Sequence, residues 1–265
     1  MKRKFPSKFF FQSAMITAAS ISFSFGSAAQ TAQMMTLAGS SQNDVAGTTQ
    51  LSKSTLDFLN KQTELAMKGD AKVQYLLGVV YYEGQGVVQD YNKAFEWYFE
   101  AASNGHAEAQ NNIGVMYDKG EGVGQDHEKA LQWFQKAAEQ NHAEALNNIG
   151  VMYDKGEGLR ADGQQAMTWY LKAAELGSAS AQYNLGNMYY HGKTAVKNYK
   201  AAYDWYEKAA QQGHPLAQNR LGIMHFKGES VRQNKVQAKE WFGKSCDAGY
   251  QVGCDGYRTL NEFGY

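Results

Sequence analysis

Every tryptophan in this chain stands 36 residues from the next: Trp97, Trp133, Trp169, Trp205 and Trp241. A period this long and regular marks a stacked array of supersecondary units, and it constrains the fold before any residue is considered alone. Cutting at that period from Ala71 gives five blocks, 71–106, 107–142, 143–178, 179–214 and 215–250, and the remainder 251–265 opens a sixth. Counted within a block, position 8 is always glycine (Gly78, Gly114, Gly150, Gly186, Gly222), position 24 always alanine and position 27 always tryptophan. Position 14 is glycine in all five, and position 11 is tyrosine four times and His225 once.

Each block reads as two helices. Helix A covers roughly positions 1–13, with apolar positions 3, 7, 10 and 11 on one face; in the second block these are Ala109, Ile113, Met116 and Tyr117. Glycine at position 14 supplies the left-handed residue that ends a helix. Asp90, Asp126, Asp162, Asn198 and Asn234 at position 20 are N-caps for helix B. Helix B then carries Ala at 24, Trp at 27, an aromatic at 28 and a small pair at 31 and 32, and closes with Gly, or Asn141, at 35. Pro215 sits at a first-turn site, where its missing N–H costs little. Glycine inside helix A forfeits about 1 kcal/mol of helix propensity relative to Ala. The expected compensation is close approach of helix B, with the small residues at 24 and 31 facing the glycine and, in the third block, Trp169 and Tyr153 filling the space around it. No block buries its own apolar face, so neighbours must stack into an all-α solenoid. The stretch 54–70 reads as a lone, degenerate helix B that caps the array, with Ala66 and Gly69 in register and Lys61 in place of Trp; 251–265 reads as a closing half-repeat.

Upstream, Lys2, Arg3, Lys4 and Lys8 precede an apolar, small-residue stretch to Phe25, and Ser27-Ala28-Ala29 supplies a cleavage site, so 1–29 is expected to be an export signal. A retained membrane anchor is the alternative, against which the stretch is short and interrupted by Gln12, Ser13, Thr17, Ser20, Ser22 and Ser24. Residues 30–53 lack apolar periodicity and read as a disordered tether. Without the signal the chain has 22 basic against 26 acidic residues, a net charge of −4. That balance argues against sequence-independent nucleic-acid binding, which needs a basic face.

The block "AEAQNNIGVMYDKGEGVGQDHEKALQWFQKAAEQNH" resembles the Sel-one-like repeat, a relative of the tetratricopeptide repeat with which it shares Ile113-Gly114 to Tyr117 and the later alanines. The resemblance implies a right-handed α/α superhelix whose concave face is lined by helix A, in scaffolds or adaptors that bind other proteins. Thr194-Ala195 and Ser230-Val231 depart from the G-x-G-V loop, so the fourth and fifth loops are expected to differ in shape. Cys246 and Cys254 fall at position 32 and at position 4 of the next block. A free thiol pair or a metal site is open on residues alone. The resemblance implies a disulfide between successive helices, in keeping with export to an oxidising compartment. Closing so short a loop gives roughly 2–3 kcal/mol.

Chemistry is thin. Some cysteine-rich relatives are associated with β-lactam binding or hydrolysis, but no serine here is followed three residues later by lysine, and neither K-T-G nor H-E-x-x-H occurs. His106, His142 and His214, at the inter-repeat turn, read as exposed turn residues rather than a metal cluster, and no cofactor is implied.

Positions 5, 6, 9 and 12 of helix A are the expected inner surface. They offer Tyr75, Leu76, Val79 and Tyr82, then Asn111, Asn112, Val115 and Asp118, and then Asn147, Asn148, Val151 and Asp154. The fourth block offers Tyr183, Asn184, Asn187 and Tyr190, and the fifth Asn219, Arg220, Ile223 and Phe226. Asparagine carries donor and acceptor, so this row suits a peptide backbone, and the tetratricopeptide resemblance implies that role for Asn112, Asn148 and Asn184. A merely soluble helix face is the alternative. The leading expectation is therefore a periplasmic or secreted scaffold for a protein or peptide. A cell-wall protein binding peptidoglycan or β-lactams, or a host-directed secreted factor, stands behind it.

Overall fold

The computed structural model describes residues 53–265 other than Lys193. The expected export signal, and the expected tether up to residue 52, lie outside the described residues. Among them are twelve helices and no strand. Helix α1 (Lys53–Met67) precedes five A/B pairs: α2 (Ala71–Glu83) with α3 (Tyr91–Ser103), α4 (Ala107–Lys119) with α5 (His127–Glu139), α6 (Ala143–Lys155) with α7 (Gly163–Glu175), α8 (Ala179–His191) with α9 (Tyr199–Gln211), and α10 (Pro215–Lys227) with α11 (Lys235–Asp247). Helix α12 (Gln251–Glu262) closes the stack. Each helix packs against its neighbours in sequence, so the fold is an all-α repeat solenoid.

Helix lengths follow from their stop signals. Each A helix ends on its position-14 glycine, at φ between 68° and 77°, whose N–H bonds the carbonyl four residues back. Each B helix begins at the position-20 Asp or Asn, whose side chain accepts a first-turn amide. Asn141 makes the left-handed turn at φ 59° that glycine makes elsewhere. The fifth loop corrects the sequence expectation: Ser230 takes φ 67°, as Gly86, Gly122 and Gly158 do at 69° to 71°, so its shape is kept. Lys193 leaves part of the fourth loop outside the description, but Asn198 N–H still bonds the Tyr189 carbonyl at 2.9 Å, as its counterparts do.

The interior glycine does make room for a close approach, though by a different group from the one expected. A β-carbon on Gly150 would lie 2.7 Å from the ring of Tyr170, and the equivalents at Gly78, Gly114, Gly186 and Gly222 would meet Tyr98, Phe134, Tyr206 and Phe242 at 2.3 to 2.7 Å. The ring at position 28 is the group nearest the glycine, and in the third block the Ala166 carbonyl at position 24 follows at 3.3 Å. Trp169 and Tyr153 pack around that contact, against the core that holds Ala166 and Tyr170, and both also reach the core shared by the second and third blocks. A lysine one turn on lies over the indole in four blocks, Lys136, Lys172, Lys208 and Lys244, 3.8 to 4.6 Å from the ring centre.

Glutamine at position 4 ties blocks together. Gln74, Gln110, Gln182 and Gln218 are buried, and each donates to the position-32 carbonyl of the preceding helix B, at 2.9 to 3.4 Å. Their side-chain oxygens accept from position 34: Asn104 for Gln74, Gln140 for Gln110, Gln212 for Gln182. The third block has leucine at both places, Leu146 and Leu176. The fifth has Ala248 at position 34, and the Gln218 oxygen is left buried without a partner.

The turn histidines are not exposed, which corrects their sequence reading. His106, His142 and His214 are N-caps, their Nδ1 atoms accepting the amides of Ala109, Ala145 and Ala217 at 3.2 to 3.4 Å. That role needs a neutral ring protonated on Nε2. Burial lowers all three pKa values, that of His214 to about 4, with Glu108 and Glu144 partly opposing this at His106 and His142.

Three tests follow from this packing. Gly150→Ala regains about 1 kcal/mol of helix propensity but displaces a ring, at a cost of about 1–3 kcal/mol. We expect it to melt below wild type in calorimetry, and Gly150→Leu far below; a midpoint at or above wild type for both would remove this account. Ala248→Gln should supply the donor Gln218 lacks and raise stability by about 1 kcal/mol in urea titration. For the histidines, an unfolded chain takes up protons below a pH of about 6.5 that the folded chain excludes. Stability is therefore complete above that pH and falls as pH drops toward 4, where His214 also titrates in the folded state. Melting curves at pH 7 and 5 should show this loss, and combining His106→Asn, His142→Asn and His214→Asn, which keeps a capping acceptor, should flatten it.

Candidate functional site

Successive A helices meet through short side chains. Asn148 Nδ2 donates to Asn111 Oδ1, and Asn184 Nδ2 to Asn147 Oδ1, both at 3.0 Å. Successive B helices meet through long ones, as where Phe99 and Trp133 rings lie 5.7 Å apart edge to face. The shorter reach draws the A layer together.

The same step recurs at each junction: position 6 of one block reaches back to position 5 of the block before. Asn112 bonds toward the hydroxyls of Tyr75 and Tyr98, and Arg220 lies against Tyr183. This divides the expected binding residues. Asn111, Asn147 and Asn219 are buried, and the first two are spent as ladder acceptors. Asn219 faces α12, where position 6 is Gly256, and its oxygen has no partner. Asn112, Asn148, Asn184, Asn187, Arg220, Tyr75, Tyr82, Tyr183 and Tyr190 keep partial exposure. Asn187 accepts the Tyr206 hydroxyl at 2.8 Å. Asp118 is bonded to His127 at 2.8 Å, whereas Asp154, exposed, has Gly163 at the matching position.

Tyrosines gather in two matched clusters three blocks apart. Tyr75 stacks on His106 at 4.6 Å, as Tyr183 does on His214 at 4.9 Å. Tyr82 meets Tyr91 edge-on at 5.2 Å, as Tyr190 meets Tyr199. Tyr82 donates to Glu121 at 2.7 Å, and Tyr190 to Glu229 at 2.9 Å, each crossing to the next block's loop. Burial pushes the Tyr75 and Tyr190 hydroxyls up to about 12, so both stay neutral. The clusters differ at the following position 6, which is Asn112 in one and Arg220 in the other. The Arg220 guanidinium stands 5.8 Å above the Tyr190 ring, and among the described residues no carboxylate lies within ion-pair distance of it.

Sequence reading missed the partners Glu121, Glu229 and His127. A partial signal existed for His127: Tyr at position 12 stands with Tyr at 21 (82/91, 190/199) and Asp118 with His127, although Asp154 stands with Gly163. At the far end the Cys246 and Cys254 sulfurs lie at bonding distance, 1.98 Å, where the other junctions carry the position-4 side chain. Among the described residues no group of three or more His, Cys, Asp or Glu is placed to hold a metal ion, and no helix is long and apolar enough to cross a membrane.

Comparison with solved structures gives two relatives of note. The chain is 35% identical, with TM-score 0.67, to c5321, described as a protective antigen of uropathogenic Escherichia coli displaying an SLR fold. That match covers 78% of this chain and 44% of the other, so this chain spans less than half the length of c5321. It is 30% identical to a Sel1 repeat protein from Oxalobacter formigenes, with TM-score 0.67 and 78% and 87% of the two chains covered. A Klebsiella pneumoniae protein described as a sel1 repeat protein shares the fold at 22% identity and TM-score 0.53, covering 76% of this chain and 98% of its own. No curated protein is close enough in sequence to match. The Sel1 repeat pattern itself matches residues 71–106, 107–142, 143–178, 179–214 and 215–250, the blocks set by the tryptophan period, and the chain belongs to the Sel1 repeat family.

Proposed function

We propose that this protein is an exported, non-catalytic scaffold that holds a protein or peptide partner along its A-helix layer. Sel1 repeat proteins are helical scaffolds for protein–protein interaction. The observation that carries the finer reading is the state of Asn148 and Asn184. Each spends an amide N–H on the preceding block, and among the described residues its carbonyl oxygen has no partner. A row of fixed acceptors on an inner surface suits the N–H groups of an extended chain. Fixing them by the ladder lowers the cost of ordering the site on binding. Export is supported by the basic, then apolar, start of the chain and by the Cys246–Cys254 pair, which suits an oxidising compartment.

The test is site-specific photocrosslinking in cells, with a photoreactive phenylalanine at Asn112, Asp154 or Asn184 on the inner side and at Gln135 or Glu175 on the B helices. One partner should be captured from the inner sites and not from the outer ones; capture from the outer sites alone would overturn the reading. Fractionation of the same cells should place the product outside the cytoplasm.

A further inference from the structure

In four of the five blocks the chain covers its own tryptophan. Lys136, Lys172, Lys208 and Lys244, at position 30, hold their ammonium groups 3.8 to 4.6 Å from the indole centres of Trp133, Trp169, Trp205 and Trp241. The first block has Glu100 at that position. Among the described residues no lysine or arginine lies over the Trp97 ring. Neither Glu96 nor Glu100 is held in an ion pair among them.

Trp97 is half-buried and packs against the core that α1 shares with α2. It also faces a cavity of about 480 Å³ between α1 and α3, whose walls include Ala66, Met67, Phe99, Glu96 and Glu100. That size falls in the range of ligand sites, ~300–1,000 Å³. The corresponding cavity two junctions on, of about 550 Å³, has Trp169 in its wall with Lys172 beside it. The two furrows follow one plan and differ in the sign of the charge at position 30. An indole face attracts a cation, and carboxylates beside it strengthen the pull. Met67 and Phe99, both exposed, offer apolar surface at the mouth. That combination suits an ammonium on an aliphatic stem, which lays its stem on apolar surface and keeps its head at the charged rim.

We propose that this cavity takes a lysine side chain from a partner protein, its ammonium over Trp97 and beside Glu96 and Glu100, in the place that position 30 fills in the other blocks. Charge complementarity selects the occupant, and the four lysine–indole pairs within the chain give the contact it would make. The site belongs to the B-helix layer at the first junction and does not rest on the A-layer reading.

Nuclear magnetic resonance of the indole Nε1–H groups tests this with a control built into the chain, since the other four tryptophans already carry a lysine. The probes are N-acetyl-Ala-Leu-Lys-Leu-Ala-amide and the same peptide with norleucine in place of lysine. The lysine peptide should shift Trp97 and leave Trp133, Trp169, Trp205 and Trp241 in place. It should bind ~2- to 30-fold more tightly than the norleucine peptide, the span of one cation–indole contact. Glu100→Lys supplies the missing cation from within, so the preference for lysine should vanish while circular dichroism stays that of the wild type. Glu100→Gln should weaken the lysine peptide less than Glu100→Lys does. Equal binding of both peptides to the wild type, equal shifts at all five indoles, or an undiminished lysine preference in Glu100→Lys would overturn the proposal. Silence of Trp97 toward both peptides at millimolar concentration would do the same. Shifts confined to the Asn148 and Asn184 side-chain amides would sink this site and leave the A-layer reading standing.

Discussion

The contact on which this structure depends is an aromatic ring lying on a glycine. It occurs once in each block, always between position 8 of helix A and position 28 of helix B. Helix A would be a better former with alanine at the glycine, and the chain gives up about 1 kcal/mol of propensity at each such site on the standard scale. In return each pair closes to a distance that only a missing side chain permits. All five pairs then share one geometry, and identical geometry lets the blocks stack in register.

Two kinds of bond are layered on that frame. The glutamine bridge at position 4 is buried and joins a B helix to the A helix that follows. The asparagine step joins one A helix to the next. The first is purely structural. The second is structural on one edge of the amide and open on the other, so the array's own cohesion presents the groups that a partner would meet.

Much of the frame was legible because each demand is written five times. The helix ends, the position-20 caps and the block bounds follow from glycine, Asp and Asn at fixed spacing. What stayed hidden was which side chain meets which. The small residues at positions 24 and 31 drew the reading for the glycine contact, yet the aromatic ring at position 28 comes nearest to it. The histidines read as exposed because a turn usually is; only the structure shows Nδ1 closing the next helix. The row at positions 5 and 6 was visible as a pattern, but periodicity alone could not separate the buried Asn111 and Asn147 from the half-exposed Asn148 and Asn184. That distinction rests on a pairing between blocks, which no single block contains.

The stepwise ladder also sets a rule of succession for the blocks. Asn184 would meet Asn111 as readily as it meets Asn147, so the third block could be removed, or a copy of it inserted, with every amide at those steps still paired. The first and fourth blocks are less free. Each shows a tyrosine at position 5, and the residue that follows it at position 6, Asn112 or Arg220, must lie against that ring. Array length is therefore open to change in the middle, by whole units, while the order of units at the two tyrosine clusters is fixed by what each can be followed by.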